Sequence, residues 1–122
     1  MAVLTETRHA GGFMVSEAVR HRARETVTIL SGTGKLVPGT VLGKITANGK
    51  YAYYNNNLAT GVETAAAILW DDVDATSADR VAVVIVRDAE VNAGELVWEA
   101  AQITADKNAG IADLRLLGII AR

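Results

Sequence analysis

The segment from Asp71 to Asp79 contains four aspartates and is the densest group of side chains that could do chemistry. A calcium-binding loop between two helices needs a glycine at its sixth position and a glutamate at its twelfth. Counted from Asp72, those positions hold Ser77 and Val83. The spacing therefore favours a solvated loop over a calcium site or a pair of carboxylates for acid–base catalysis.

The two histidines, His9 and His21, both lie near the N-terminus, and the sequence has no cysteine that could complete a thiolate metal site. No Gly-x-Ser-x-Gly elbow occurs, and neither histidine falls in the predicted body, where a catalytic base would have to be oriented. We therefore expect no metal, no cofactor, no small-molecule substrate and no enzymatic activity.

Two further stretches resemble parts of known sites. The stretch from Ser31 to Lys35 resembles a phosphate-binding loop, but it lacks the first glycine and the Ser or Thr after the lysine, so it predicts a turn. Lys50 resembles the modified lysine of lipoyl and biotinyl domains, although Gly49 and Tyr51 flank it. This leaves a β-barrel accessory or carrier domain of a larger complex as the alternative function.

Three tyrosines, Tyr51, Tyr53 and Tyr54, could stack on bases, or they could cover a sheet face or a subunit interface. The charge distribution decides between these roles. Residues 1–24 contain four arginines and two glutamates, a net charge of +2, which leaves −4 for the rest of a chain whose total is −2. An acidic body is poorly suited to phosphate, so we expect no nucleic-acid partner and assign the tyrosines to a protein interface.

Neither hydropathy nor the N-terminus indicates a membrane. The longest apolar runs, 81–86 and 114–121, are shorter than the ~20 residues that a spanning helix needs. Glu6 and Arg8 stand where a signal peptide would have its apolar core. The sequence therefore predicts no membrane partner and synthesis in the cytoplasm.

Residues 1–24 are predicted to form a flexible N-terminal arm, and residues 25–122 a β-rich domain. Two adjacent glycines interrupt any regular element, and the charged stretch 20–24 has no buried-face period. The apolar triplet Phe13-Met14-Val15, which follows the two glycines, is unusual for a segment that remains in water. The residues predicted to grip a partner are Gly11, Gly12, Phe13, Met14 and Val15.

The body is predicted to be mainly β. Polar and apolar residues alternate from Thr26 to Ile29, as in a half-buried strand. Pro38-Gly39 predicts a type II turn, and Asn48-Gly49 predicts a hairpin with a type I′ turn. The run from Val81 to Val86 is rich in β-branched residues and is typical of a strand buried on both faces.

One helix is predicted near the C-terminus. Thr104 is the expected N-cap, and Asp106 lies in the first turn, where a carboxylate suits the helix dipole. Gly118 stands where a left-handed residue commonly ends a helix. The face expected to pack against the sheet carries Ile111, Leu114 and Leu117.

Several blocks, taken in order, resemble one family. They are Arg24 to Thr28, Lys35 to Lys44, Glu63 to Leu69, Asp72 to Thr76, Val84 to Val91 and Leu117 to Ile120. In this order they are similar to the head decoration proteins of tailed phages, the family that includes the lambda capsid-stabilising protein. The resemblance extends over nearly the whole chain from about residue 13.

The resemblance implies a fold and a function. The fold would be mainly β (α+β), a small β-barrel-like or β-tulip body with one C-terminal helix and a flexible N-terminal arm. The protein would bind the major capsid protein as a homotrimer at the threefold positions of the expanded capsid, on the outside of the virion. There it would stabilise the shell against internal DNA pressure, with the arm ordering only on the shell. From their residue type, Tyr51, Tyr53 and Tyr54 are the residues expected at a trimer or capsid interface.

Overall fold

The computed structural model describes residues 5–122. Its strands are β1 (Met14–Glu17), β2 (Arg24–Ile29), β3 (Gly34–Leu36), β4 (Val41–Lys44), β5 (Tyr51–Tyr53), β6 (Ala65–Leu69), β7 (Val73–Ala75), β8 (Arg80–Ile85), β9 (Ala89–Val91) and β10 (Ile119–Ala121). The helix α1 spans Thr104–Leu116, and short 3-10 turns cover Val19–His21 and Ala93–Glu95. The prediction of a mainly β fold with one C-terminal helix is confirmed.

Five strands close into a small barrel in the order β2, β5, β4, β6, β8. The longest seam joins β2 to β8, antiparallel, from Arg24 opposite Ile85 to Ile29 opposite Arg80. The shortest seam joins β2 to β5 through one parallel pair, Ile29 and Tyr51. Because a closed sheet has no long free edge, the barrel is a frame on which the loops and the remaining elements are held.

The hairpin between β4 and β5 is confirmed, but its loop is longer than predicted. A type I′ turn would need positive φ at both Asn48 and Gly49, and only Gly49 has it, at +72°. The Ile45 amide donates to the Lys50 carbonyl at 2.8 Å, and the Gly49 amide donates to the Ile45 carbonyl at 2.9 Å. The last bonded pair of the hairpin therefore encloses four residues instead of two.

The predicted type II turn between β3 and β4 is confirmed. Gly39 has a φ of +93°, and the Thr40 amide donates to the Val37 carbonyl at 3.3 Å. A Cβ on Gly39 would lie 2.6 Å from the carbonyl oxygen of Glu95. Only glycine fits here, for its conformation and for the close approach of the neighbouring backbone.

Two smaller sheets lie outside the barrel. In the first, β9 is central, with β1 antiparallel on one side and β10 parallel on the other. The second is a two-stranded antiparallel ribbon of β3 and β7. Since β1 and β10 come from opposite ends of the chain, β9 is where the N-terminal and C-terminal segments meet.

Helix α1 packs through a face that agrees with the predicted one only at Leu114. Its buried residues are Asp106, Gly110 and Leu114, spaced four apart, whereas Leu117 is exposed. The Ile103 amide donates to Asp106 Oδ2 at 3.1 Å, so Ile103 is the N-cap residue instead of Thr104. Small Gly110 lets the helix approach its neighbours closely, and this decides which face is buried.

The buried apolar residues form two clusters. The barrel-interior cluster lies between the strands of the barrel and the β3–β7 ribbon and consists of Ile29, Leu36, Leu42, Tyr51, Ala67, Leu69, Ala75, Val84 and Val86. The outer cluster lies between the barrel wall, β9, β10 and α1 and consists of Phe13, Ala23, Val41, Tyr54, Ala65, Ile68, Ile85, Ala89, Val91, Leu96, Leu114 and Ile119.

Two predictions about burial need correction. The segment from Gly11 to Glu17 packs against the body: Phe13 is 2% exposed and β1 pairs with β9. The packed body therefore begins well before residue 25, because Phe13 completes the outer cluster.

In β8, Val81 is 71% exposed and Val83 is also exposed, because the layer outside the barrel covers only the end of this strand. The prediction that the segment from Val81 to Val86 is buried on both faces is therefore wrong.

None of the helices in residues 5–122 combines the length and apolar character required to cross a membrane.

Candidate functional site

A glycine anchors the N-terminal segment to the barrel. The Gly11 amide donates to the Trp70 carbonyl at 2.8 Å. Gly11 has a φ of +64°, and a Cβ there would overlap the indole ring of Trp70. The glycine pair does interrupt regular structure, as predicted, but it holds the segment against the body instead of leaving it free.

Phe13 begins a stack of side chains that links β1 to the barrel. Its ring meets Trp70 edge-on with centroids 6.2 Å apart, and the Arg24 guanidinium lies 3.8 Å above the same indole ring. Arg24 also donates to both carboxylate oxygens of Glu17, at 2.7 and 3.1 Å. This hydrogen bonding lowers the pKa of Glu17 below its ordinary value of 4.5.

Only part of the predicted gripping set faces the solvent. Phe13 is buried and Met14 is half-buried against the outer cluster. Gly12 is exposed, and Val15 is 58% exposed on β1 at the edge of its sheet. The role of this set in binding a partner stays a prediction, and the structure restricts it to the residues that are accessible.

Residues 5–10 are exposed throughout. Arg8 Nη1 lies 3.0 Å from Glu95 Oε2, and His9 Nε2 lies 2.7 Å from Glu6 Oε1. Exposed ion pairs of this kind contribute roughly 0–1 kcal/mol, so the segment is held mainly from Gly11 onward. Residues 1–4 belong to the predicted arm and lie outside the described residues.

Two of the three predicted interface tyrosines are internal. Tyr54 is fully buried and its hydroxyl donates to the Asp106 carbonyl at 2.7 Å, while its ring meets Trp98 edge-on at 5.8 Å. Tyr51 belongs to the barrel-interior cluster. Since both side chains are used within the chain, the prediction of an interface role is corrected for Tyr51 and Tyr54. Tyr53 alone is partly accessible.

Tyr53 lines an uncharged cleft of about 380 Å³ that sequence reasoning missed. Residues distant in sequence form the cleft, and none of them ionises near neutral pH. They are Leu30, Ser31, Gly32, Thr33, Ile45, Ala52, Tyr53, Asn55, Leu58, Thr60 and Val62. The lining is mostly apolar, so the cleft can take up an apolar side chain of a partner.

The aspartates of segment 71–79 bond to separate neighbours. Asp79 Oδ2 lies 2.7 Å from Lys50 Nζ, and the bond from Lys50 lowers the pKa of Asp79 below 3.8. The Thr76 hydroxyl donates to Asp74 Oδ1 at 2.6 Å and lowers the pKa of Asp74 in the same way. Within residues 5–122, no three His, Cys, Asp or Glu side chains converge on a metal position. Lys50, which the carrier alternative requires to be free for modification, is paired with Asp79 in the loop before β8.

The β3–β7 ribbon carries a second surface feature, here called the ribbon groove. It encloses about 440 Å³ and is lined by Lys35, Leu36, Val37, Asp72, Val73 and Asp74. Lys35 stands opposite Asp74 in the ribbon, so these two charges offset each other. The remaining charge of the groove is the exposed carboxylate of Asp72.

Three loops meet at the end of the barrel where β2 begins and β8 ends. The Ala18 amide donates to the Asp88 carbonyl at 3.0 Å, and the Asp88 amide to the Leu117 carbonyl at 3.4 Å. All non-glycine residues with positive φ in the described part of the chain lie here: Arg20, His21 and Asp88. Such conformations cost roughly 1–3 kcal/mol each and persist where the surroundings impose them. Sequence patterns gave no sign of them, because residues other than glycine rarely adopt positive φ and no turn pattern marks these positions.

Comparison with protein families identifies the family of the chain. No curated protein matches the chain. The family model described as bacteriophage lambda head decoration protein D matches residues 3–119 of the 122. This match covers the N-terminal segment, the barrel and α1, and the role of the family is structural, at the capsid of the virion. The chain belongs to the bacteriophage lambda head decoration protein D family.

Proposed function

We propose that this protein binds the outer surface of the expanded phage capsid as a trimer, contacts the major capsid protein, and stabilises the shell against internal DNA pressure. The observation that carries the proposal is the family match over residues 3–119. The match supports a role at the capsid. That the protein binds there as a trimer and stabilises the shell is what we propose in addition.

The N-terminal segment supports a role in capsid contact. Residues 5–10 are exposed, and Val15 is exposed on an edge strand that could accept a further strand. Ordering a free segment costs ~1–2 kcal/mol per residue. Because residues 11–17 are already packed against the body, binding through them requires little further ordering.

Three copies would strengthen such contacts. Linked binding segments act at a high effective concentration once the first is bound, so a trimer binds a symmetric position far more tightly than one copy. A decoration protein that joins several capsid subunits in this way resists their separation. In this way, a large number of modest contacts could together oppose the pressure from inside the shell.

The deciding experiment measures binding to purified expanded shells. The truncation should remove residues 1–10 only, because Phe13 belongs to the outer cluster and a cut at residue 24 would unfold the body. We expect the full chain to cosediment with shells and the truncated chain to bind more weakly, with the circular dichroism spectrum unchanged. Equal binding would remove residues 1–10 from the proposal and leave the contact to Val15 and its neighbours, and no binding by either protein would contradict the proposal itself.

A second measurement tests stabilisation. Shells with and without bound protein are heated, and the temperature at which they rupture is recorded by light scattering. We expect a higher rupture temperature with bound protein. Val15→Asp should reduce this effect, whereas Lys44→Glu, at an exposed position of the β4–β5 hairpin, should not.

A further inference from the structure

The three-loop end of the barrel carries an exposed basic and apolar knob, defined here as Val19, Arg20, Arg115 and Leu116. Leu116 is 88% exposed and Val19 is 72% exposed, the highest values among the large apolar side chains of residues 5–122. The hydrogen bonds through Asp88 bring the loop of Val19 and the end of α1 together. Two large apolar side chains this exposed, on segments that hydrogen bonds through Asp88 hold together, are available to a partner.

The charge of the knob is not neutralised by its own chain. Arg20 and Arg115 make no ion pair with any other part of residues 5–122. Other arginines nearby are paired, such as Arg24 with Glu17. The knob therefore fits a partner surface that is apolar and acidic.

The ribbon groove on the same chain has that chemistry. Its apolar lining comes from Leu36, Val37 and Val73, and its unpaired charge is the carboxylate of Asp72. Asp72 makes no ion pair within the described residues. Neighbouring Asp71 is likewise exposed and adds to the negative charge at the rim.

Symmetry explains why one chain would carry both surfaces. In a cyclic trimer, each copy meets the next through two different surfaces, one on each side. A chain that forms such a trimer must therefore have two patches that complement each other without being identical. Among the exposed features described above, the knob and the ribbon groove are complementary in both charge and hydrophobicity.

We propose that the knob of one copy docks in the ribbon groove of the next, with Leu116 among the apolar residues and Arg115 close to Asp72. This inference rests on the proposed trimer and adds the surfaces that form it. The occupant of the groove is thus a second copy of this chain. Charge complementarity fixes the pairing, and the apolar contact supplies the buried area.

Charge reversal with rescue tests the pairing. Arg115→Glu and Asp72→Arg, each alone, should weaken trimer association by roughly tenfold or more. The double variant should recover most of it, because the attraction is restored with opposite signs. Sedimentation equilibrium measures the association, and Lys44→Glu, an exposed change on the β4–β5 hairpin, is the matched control with no expected effect.

Disulfide trapping tests the apolar contact independently. The chain has no cysteine, so Leu116→Cys and Val37→Cys can be prepared separately and mixed under mild oxidation, with and without expanded shells. We expect crosslinks between the two variants and few within either one. Crosslinking of Leu116→Cys to itself would indicate a twofold contact and would overturn the inference.

The outcomes separate this inference from the proposed function. If the wild type is trimeric and the charge variants are equally trimeric, the inference is wrong and the proposed function stands. If the charge variants remain trimeric but lose shell binding, the knob faces the capsid protein, which also overturns the inference. If the wild type is monomeric both free and on shells, the trimer of the proposed function is itself wrong.

Discussion

The barrel-interior cluster and the outer cluster are built from different parts of the chain. The interior is formed by barrel strands and the β3–β7 ribbon, all within residues 27–86. The outer cluster adds Phe13 from the N-terminal side and Leu114 and Ile119 from the C-terminal side. The interior therefore depends on strand pattern, whereas the outer cluster depends on the two ends of the chain meeting over the barrel wall.

This difference bears on function. The exposed N-terminal residues, the loops at the end of β8 and the end of α1 are all held in place by the outer layer. A change in the outer cluster should therefore affect capsid contact and stability together. A change in the barrel interior should act on stability first.

The largest expected effect comes from Phe13→Ala. Removing a buried aromatic ring should cost ~3–5 kcal/mol of unfolding free energy, because Phe13 fills the outer cluster and contacts Trp70. Urea denaturation measures the loss. Val15→Ala, at an exposed position two residues away, should change stability by about 0.5 kcal/mol or less; similar losses in both variants would mean that the segment is not packed as described.

A slightly smaller loss is expected for Gly43→Ala in the barrel wall. A Cβ at Gly43 would lie 2.7 Å from the Val62 carbonyl oxygen, and backbone cannot move aside as a flexible side chain can. Overpacking of this kind costs about 1–3 kcal/mol. Thermal unfolding tests it, with Gly94→Ala as the control at a less crowded glycine; equal melting temperatures for Gly43→Ala and wild type would contradict the close approach.

Gly110→Ala tests the packing of α1 against the outer cluster. Alanine favours a helix by ~1 kcal/mol over glycine, yet its Cβ would lie 2.7 Å from Trp98 and 2.9 Å from Tyr54. We expect a net loss of about 1 kcal/mol, since the buried ring of Tyr54 and the partly buried ring of Trp98 must shift. Asn108→Ala, at an exposed position of the same helix, should be neutral or slightly stabilising; a gain in both variants would show that α1 packs less closely.

The smallest expected change in unfolding free energy is at Glu17, and it is recognised by its dependence on pH. The pKa of Glu17 is lowered by Arg24, so its contribution to stability is present above pH 4.5 and is lost as the pH falls through the lowered pKa. Glu17→Gln should be less stable than wild type by about 0.5 kcal/mol at pH 7. The difference should shrink below pH 4.5, measured by urea denaturation across pH. Glu6→Gln, at an exposed pair, should show little difference at any pH.

Much of the barrel could be predicted from the sequence. Alternation from Thr26 to Ile29, the Pro38-Gly39 turn and the Asn48-Gly49 hairpin are local patterns, and each corresponds to an element of the structure. They succeed because a strand's alternation and a turn's positive φ are set by neighbouring residues. The family resemblance was also legible, since it depends on residue types in order.

The candidate site was less predictable, and the reason is physical. Apolar character shows that Phe13, Tyr54, Val81 and Leu117 would gain from burial, but not which of them the rest of the chain covers. Phe13 and Tyr54 are covered because the chain ends meet beside them, while Val81 and Leu117 are left exposed. The sequence by itself therefore determined the strands, the turns and the family, whereas only the tertiary structure decided which apolar residues remain available to a partner, because coverage depends on contacts between segments far apart in the chain.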